Sequence, residues 1–284
     1  MKANVHQGPA SIQTVLSIIG AVDSDNLLRH LPAVDQESYK SRTQPLGCSQ
    51  PKFYWIFRDM EFDRWHRTNG VGVLWLSGPA ECRIADASSH IVDLAKETYP
   101  EGQHSVLYFF CSTAPKKIPI AATFVSTIVR QLVRCSPKLK DEITTIFLRT
   151  LLDAIFGEEP HSTLKASFRA DDSAEVAVEK IIKASSDAYW GALRSVLDIE
   201  QEMELSLIID GLDKAEDQKY EFIRELCVLI EHLREGAFTA WVLLTSRPQA
   251  EIREILGQLP SIEYDRERKG LMCLVSYSPD KHGS

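Results

Sequence analysis

The chain has 284 residues, and 32 Lys+Arg against 40 Asp+Glu give a formal net charge of −8. Apolar residues make up 44% and charged residues 25%, the values of an ordinary globular chain with enough material for one or two domains. The acidic balance, with no basic stripe beyond the Arg266 to Lys269 cluster, argues against nucleic acid or a membrane surface as a partner, and no apolar run approaches the roughly 18 residues of a membrane span. Cys48, Cys82, Cys111, Cys135, Cys227 and Cys273 form no CxxC pair and no ligand spacing with histidine, so reduced thiols in a cytoplasmic protein are expected.

Residues 1–50 read as a lead-in and helical linker, with Ile12, Val15, Ile18 and Ile19 at helical spacing, then a polar stretch from Asp25 to Cys48 carrying Pro32 and Pro45. Phe53, Tyr54, Trp55, Ile56, Phe57, Phe62 and Trp65 then crowd together, as in a short aromatic helix packed on something larger. Four apolar runs follow: Val73 to Ser77, Ser105 to Cys111, Leu205 to Ile209 and Thr239 to Thr245. A weaker fifth spans Ser261 to Tyr264. Helical stretches lie between them at Ala87 to Glu97, Ile120 to Cys135, Leu139 to Phe156, Ala174 to Leu197 and Tyr220 to Arg234. The acidic stretch Asp198 to Glu204 reads as a solvated linker. Strands apolar throughout and alternating with helices predict an α/β fold, a parallel sheet of five strands flanked by helices, with the fourth strand between the first and third.

Ligands of open α/β sheets sit at the carboxyl ends of the strands, so the residues that follow each strand carry the functional signal. After the first comes Gly78-Pro79-Ala80-Glu81-Cys82-Arg83-Ile84-Ala85 and then a helix. After the third comes Asp210-Gly211-Leu212-Asp213, and after the fourth Ser246-Arg247-Pro248. This order of loop and helix, acidic strand end, and arginine strand end is that of a P-loop nucleotide hydrolase.

The chain resembles fungal NACHT-type NTPase domains, the group related to the N-terminal domain of nephrocystin and belonging to the signal-transducing NTPase class. The resemblance rests on Trp55-Ile56 and Trp65, Leu74-Trp75-Leu76-Ser77-Gly78-Pro79, Tyr108-Phe109-Phe110, Ile208-Ile209-Asp210-Gly211-Leu212-Asp213, Thr245-Ser246-Arg247-Pro248, and the Ile262 to Arg268 segment. It implies a domain over residues 51–272, a short tail over 273–284, and ATP or GTP with Mg²⁺ as cofactor. Such domains are usually followed by repeat modules that sense a ligand, and no repeats are expected here.

The phosphate loop departs from that pattern. In GxxxxGK[ST] the glycines let backbone N–H groups cradle phosphates, the lysine reaches the β/γ-phosphates, and the hydroxyl ligates Mg²⁺. Aligned on Gly78, the second glycine is Arg83, the lysine is Ile84 and the hydroxyl position is Ala85, while Glu81 adds a negative charge where an anion would sit. Arg83 and Ile84 also disfavour the positive-φ geometry such loops use. Arg83 on a phosphate, with Ser88 or Ser89 supplying a hydroxyl one turn later, is the alternative.

By resemblance Asp210 orients Mg²⁺-bound water, Asp213 polarises the attacking water, and Arg247 senses the terminal phosphate; Lys214 stands where the family often has an acid. The plain readings are helix caps for the aspartates and a salt bridge from Arg247 to Asp210 or Glu251. The tryptophans Trp55, Trp65 and Trp75 are expected as core anchors and the eight histidines as exposed or capping groups, while a helix N-terminus beside Cys82 would favour its thiolate. The expected function is nucleotide-gated signalling or self-assembly with nucleotide binding weak or lost, and no small-molecule substrate. An active ATPase or GTPase with a divergent loop, a nucleotide-independent scaffold, and a truncated copy of a longer repeat-bearing protein remain as alternatives.

Overall fold

The computed structural model describes residues 31–43, 53, 55–99, 104–115, 118–156, 176, 186–200, 204–216, 218–236 and 238–264. The expected helix around Ile12 to Ile19, the Asp265 to Arg268 end of the last motif, and the part of the Ala174 to Leu197 helix before Ser186, Val176 apart, lie outside them.

Five parallel strands form one sheet: β1 (Val71–Ser77), β2 (His104–Phe110), β3 (Glu204–Asp210), β4 (Ala240–Ser246) and β5 (Ser261–Glu263), in the order β2-β3-β4-β1-β5. The fourth strand lies between the first and third as expected, an arrangement consistent with a P-loop NTPase-like fold. Register brings the carboxyl ends level, with Ser77 opposite Ser246 and Phe110 opposite Asp210. The strands are apolar throughout because alternate residues feed two separate cores. Val73, Trp75, Leu107, Phe109, Leu207, Ile209, Val242 and Leu244 point to one face, whereas Leu74, Leu76, Tyr108, Phe110, Ile208 and Leu243 point to the other.

The first face is covered by α4 (Ile120–Cys135), α5 (Lys140–Phe156), α6 (Ser186–Leu197), α7 (Lys219–Glu235) and α8 (Ala250–Leu256), around Phe124, Trp190 and Phe222. Pro137 stops α4, because the ring cannot supply the next helical N–H, and Gly236 follows α7. The second face is covered by α3 (Ile84–Thr98), by α1 (Gln36–Thr43), and by an aromatic segment. That segment divides into a 3-10 turn, Ile56–Arg58, and α2 (Met60–His66), where a single short helix was expected. The break falls at Asp59, which is extended and whose carboxylate accepts the Glu61 N–H at 2.9 Å. Trp65 and Trp75 are core anchors as expected: their indole N–H groups donate to the Val242 carbonyl at 3.1 Å and to Ser246 Oγ at 3.0 Å.

Two expectations are corrected. His104 is buried, stacked on Tyr99 with ring centroids 3.9 Å apart and with Nε2 2.8 Å from Ser206 Oγ. Burial pushes its imidazole below the usual range, so it is a neutral core group and not a surface one. Asp198 to Glu204 is no uniform linker, because Asp198–Glu200 is a 3-10 turn whose Asp198 meets His232 Nε2 at 2.9 Å, and Glu204 already begins β3.

The outer edge of β2 needs protection, since an unpaired edge offers bare N–H and C=O groups. Two glutamine side chains supply it. Gln131 of α4 accepts the Tyr108 N–H and donates to the Tyr108 carbonyl, both at 2.8 Å, and Gln36 of α1 accepts the Phe110 N–H at 2.8 Å. α1 is further tied down by Glu37, which takes hydrogen bonds from Lys96 at 2.5 Å and from the Tyr108 hydroxyl and pairs with Lys40 at 3.1 Å. Burial opposes the Glu37 carboxylate, but the bonds from Lys96, Tyr108 and Lys40 outweigh it and hold the group at about 2.

Replacing Gln131 by Leu should leave the Tyr108 N–H and C=O buried without partners, at about 1–3 kcal/mol per group; a urea midpoint within error of the parent would contradict this. Glu37 is lowered on folding from 4.5 to about 2, so its contribution is complete above pH 4.5 and disappears as the pH falls toward 2. The parent should therefore lose denaturant stability over that window more steeply than Glu37→Gln, and parallel pH profiles would count against the α1 tether.

Candidate functional site

Eight of the candidate residues come together. Gly78, Pro79, Arg83, Ile84, Ala85, Asp210, Asp213 and Arg247 line one cavity of about 220 Å³ at the carboxyl ends of β1, β3 and β4. The level strand ends cause this, since the loops leaving three neighbouring parallel strands have one edge to share.

The loop after β1 is a 3-10 turn, Ala80–Cys82, followed by Arg83 at φ 54° and ψ 44° and then by α3. Arg83 adopts the positive φ that its side chain disfavours, so the left-handed turn is present where the phosphate-loop pattern has its second glycine. Such a residue is strained by roughly 1–3 kcal/mol, so its surroundings must hold it there. Two contacts do so. The Arg83 guanidinium pairs with Asp86, whose side chain is only 9% exposed, and Ile84 is buried in the second core. Burying an isoleucine contributes roughly 1.5–3 kcal/mol, whereas an unpaired lysine ammonium in the same space would cost several.

Gly78 shows how tight the closure is. A Cβ there would lie 2.9 Å from Tyr264 Cβ, 3.0 Å from Ile84 Cδ1 and 3.3 Å from Cys82 Sγ. The glycine therefore allows β5, the loop and α3 to meet, and the Ile84 side chain lies against the loop's own backbone. The N–H groups of Cys82 and Arg83 are turned inward, donating to the Pro79 and Ala80 carbonyls at 3.1 and 3.2 Å. Cys82 is fully buried beneath this turn and offers no accessible nucleophile. Glu81 points to solvent.

Asp210 ends β3 and is buried to 2% exposure. Its Oδ1 accepts from Ser88 Oγ at 2.9 Å and from Thr245 Oγ1 at 2.8 Å, while its Oδ2 is buried without a hydrogen-bond partner. Burial pushes the carboxyl above its usual range against the opposing pull of Lys214 and the two hydroxyls. Burial likewise raises Asp86, with the Asp210 charge adding to the effect and Arg83 opposing it. Ser88, a candidate hydroxyl for the loop, is thus committed to Asp210, and Ser89 donates to the Ala85 carbonyl at 3.0 Å.

Asp213 and Arg247 hold each other. Asp213 Oδ1 accepts the Arg247 N–H at 2.9 Å and its Oδ2 lies 3.6 Å from Arg247 Nε, so the salt-bridge reading of Arg247 finds its partner in Asp213 and not in Asp210 or Glu251. Neither aspartate caps α7, whose N-cap residue is Gln218. Lys214 follows Gly211, which adopts φ 76° and whose added Cβ would meet Lys214 Cδ at 3.2 Å, so the lysine side chain folds back over the strand end toward Asp210.

A magnesium–nucleotide complex would need a side-chain hydroxyl, a lysine and a carboxylate from this donor set. Asp210 Oδ2 is an orphaned buried oxygen of the kind a cation satisfies, but the Ala85 side chain has no oxygen and Ile84 is packed into the core where a phosphate-binding lysine would stand. The loop does not fit the group. Three contributors escaped the sequence reading: Thr245, whose hydroxyl also accepts the Gly211 N–H at 3.0 Å, the Arg83–Asp86 pair, and Lys214 as a counter-charge. Only the i,i+3 spacing of Arg83 and Asp86 could have signalled any of them.

Because the Asp210 pKa is raised on folding, ionisation of this group costs stability as the pH climbs through the folded value, and the cost is absent below 3.8. Asp210→Asn should therefore stabilise the protein at neutral pH, on the order of 1 kcal/mol as for other replacements at strained functional positions, with the gain vanishing in acid. A lower urea midpoint at neutral pH would show that Asp210 is charged and well compensated.

Residues 52–153 match the family model described as Nephrocystin 3, N-terminal, a stretch that includes β1, the loop and α3 but ends before β3 and β4. Over 117 residues the chain is 25% identical to the vegetative incompatibility protein HET-E-1 of Podospora anserina, an alignment covering 40% of this chain and 8% of that protein. The chain thus spans a small part of that relative's length. Among the described residues no helix is long and apolar enough to cross a membrane. Both matches support a NACHT-related domain.

Proposed function

We propose that this chain is a NACHT-like signalling or self-assembly domain in which the phosphate loop has become a structural turn, so that nucleotide binding is weak or lost and hydrolysis is lost. The observation that carries the reading is the burial of Ile84 against Gly78 at the lysine position, with the Cys82 and Arg83 N–H groups bonded within the loop. Phosphoryl transfer depends on positioning and electrostatic stabilisation, and the groups that supply both are missing. In this reading the domain extends over residues 51–272, acts in the cytoplasm, and contacts other protein copies and not nucleic acid, membrane or a small-molecule substrate. The name of the Podospora relative, a vegetative incompatibility protein, agrees with a role in non-self recognition.

A second reading, a divergent but competent ATPase or GTPase, is favoured by two features: Arg83 keeps the left-handed turn, and Asp210 keeps a free buried oxygen facing the cavity. In it Asp210 would hold the metal, Asp213 and Arg247 would act on the phosphate, and the Gly78 to Ala85 loop would take the nucleotide.

Labelled ATP and GTP, with and without Mg²⁺, separate the two. The parent should bind neither detectably, while combined Glu81→Gly, Arg83→Gly, Ile84→Lys and Ala85→Ser should restore binding and raise Tm with Mg²⁺-nucleotide. Two charge-assisted contacts at about 1.5–3 kcal/mol each correspond to a gain of on the order of a hundredfold or more. Micromolar binding by the parent that Asp210→Ala abolishes would establish the second reading.

A further inference from the structure

A second cavity, of about 240 Å³, lies at the far side of the sheet from β5, between α1, α4 and the edge strand β2. Its polar lining is unevenly satisfied. Gln131 is occupied with the Tyr108 backbone, Gln36 with the Phe110 N–H and Thr113 Oγ1, and the Tyr108 hydroxyl with Glu37. The two carboxylates on the α1 side are also committed: Asp35 accepts the Ser38 N–H at 3.2 Å and the Ser38 hydroxyl, and Glu37 is held by Lys40, Lys96 and Tyr108.

The cations are not. Arg130 and Arg134 stand one turn apart on α4 and both line the cavity. Arg130 donates through Nη2 to the Leu31 carbonyl at 3.0 Å, but its Nε is buried without a partner. Arg134 has no hydrogen bond or ion pair among the described residues. Like charges at i,i+4 repel, and a buried cationic donor left without an acceptor is unfavourable. Burial and the adjacent Arg134 charge both act against the charged state of Arg130. A guanidinium cannot relieve this by losing its proton at ordinary pH, so the Arg130 Nε is left to an incoming acceptor, water or an anion, beside the exposed Arg134.

We infer that Arg130 and Arg134 form a binding site for a phosphoryl-class oxyanion, separate from the cavity at the strand ends. Two arginine forks match the several oxygens and double charge of a phosphate better than they match a single carboxylate, and the volume admits the group with part of what carries it. The bound anion would sit beneath α1, bridging α4 to the segment that shields the β2 edge, and would strengthen that cover. This inference does not depend on the nucleotide reading, because its residues lie on a different edge of the sheet.

The probe is inorganic phosphate, compared with chloride and acetate at matched ionic strength, read as the change in Tm of the full chain. Phosphate should raise Tm by several degrees where chloride and acetate do not. The rise should disappear in Arg130→Met/Arg134→Met and persist in Lys214→Met, a residue that does not line this cavity. Arg134→Glu builds the anion into the site, so it should melt higher than the parent without phosphate and no longer respond to it. No response of the parent, an equal response to acetate, or a response retained in the Arg134→Glu or double-Met proteins would overturn the assignment.

Discussion

The close approach at Gly78 governs much of what surrounds it. β1 must end beside β5 on one side and turn into α3 on the other, and the space left for that turn is smaller than a methyl group: an added Cβ would sit 2.9 Å from Tyr264 and 3.0 Å from Ile84. With a glycine there, Ile84 can enter the core, Cys82 can be buried beneath the loop, and the Trp55 ring can meet Tyr264 edge-on at 5.3 Å. In a loop built for nucleotide the same closeness would admit phosphate oxygens to backbone N–H groups. Here it admits a side chain of the protein. The anion-binding geometry and the packing geometry are alternatives for one space, and the residue at position 84 decides between them.

The charges around the cavity follow from that choice. A nucleotide site balances phosphate and metal against lysine and aspartate; in this chain the balance is internal. Arg83 lies on Asp86, Arg247 on Asp213, and Lys214 leans over Gly211 toward Asp210. Each pair restrains a loop, so the strand-end edge is ordered by ion pairs and hydroxyls instead of by a ligand. What this leaves unbalanced is one oxygen of Asp210, buried and without a donor. In the second of the two proposed readings, that oxygen is where a metal would be held.

The sheet was legible because its signal is physical and strong. Strands buried on both faces must be apolar at every position, and the runs at Ser105 to Cys111 and Thr239 to Thr245 coincide with β2 and β4 to within one residue at either end. α4 was legible to the residue, since Ile120 follows a proline and Cys135 precedes Ser136-Pro137. α1 was missed because its eight residues are polar and its stability comes from Gln36 and Glu37 docking on β2, contacts that no periodicity reveals. α8 was missed for its brevity, at seven residues. At the site, strand-end position located the candidate residues, but pairings were beyond reach. Arg247 met Asp213 because the loops after β3 and β4 run side by side, and Arg83 accepted a left-handed turn because Asp86 and the buried Ile84 hold it there.

The central claim is that the residue in the lysine position is a fixed part of the core. The most direct measurement is methyl NMR of selectively labelled Ile84 in the intact chain, with and without Mg²⁺-ATP. The structure predicts nuclear Overhauser contacts from Ile84 Cδ1 to the Gly78 and Tyr264 protons, restricted methyl motion, and no change on adding nucleotide. An Ile84 methyl that is mobile, lacks those contacts, or shifts on nucleotide addition would contradict it.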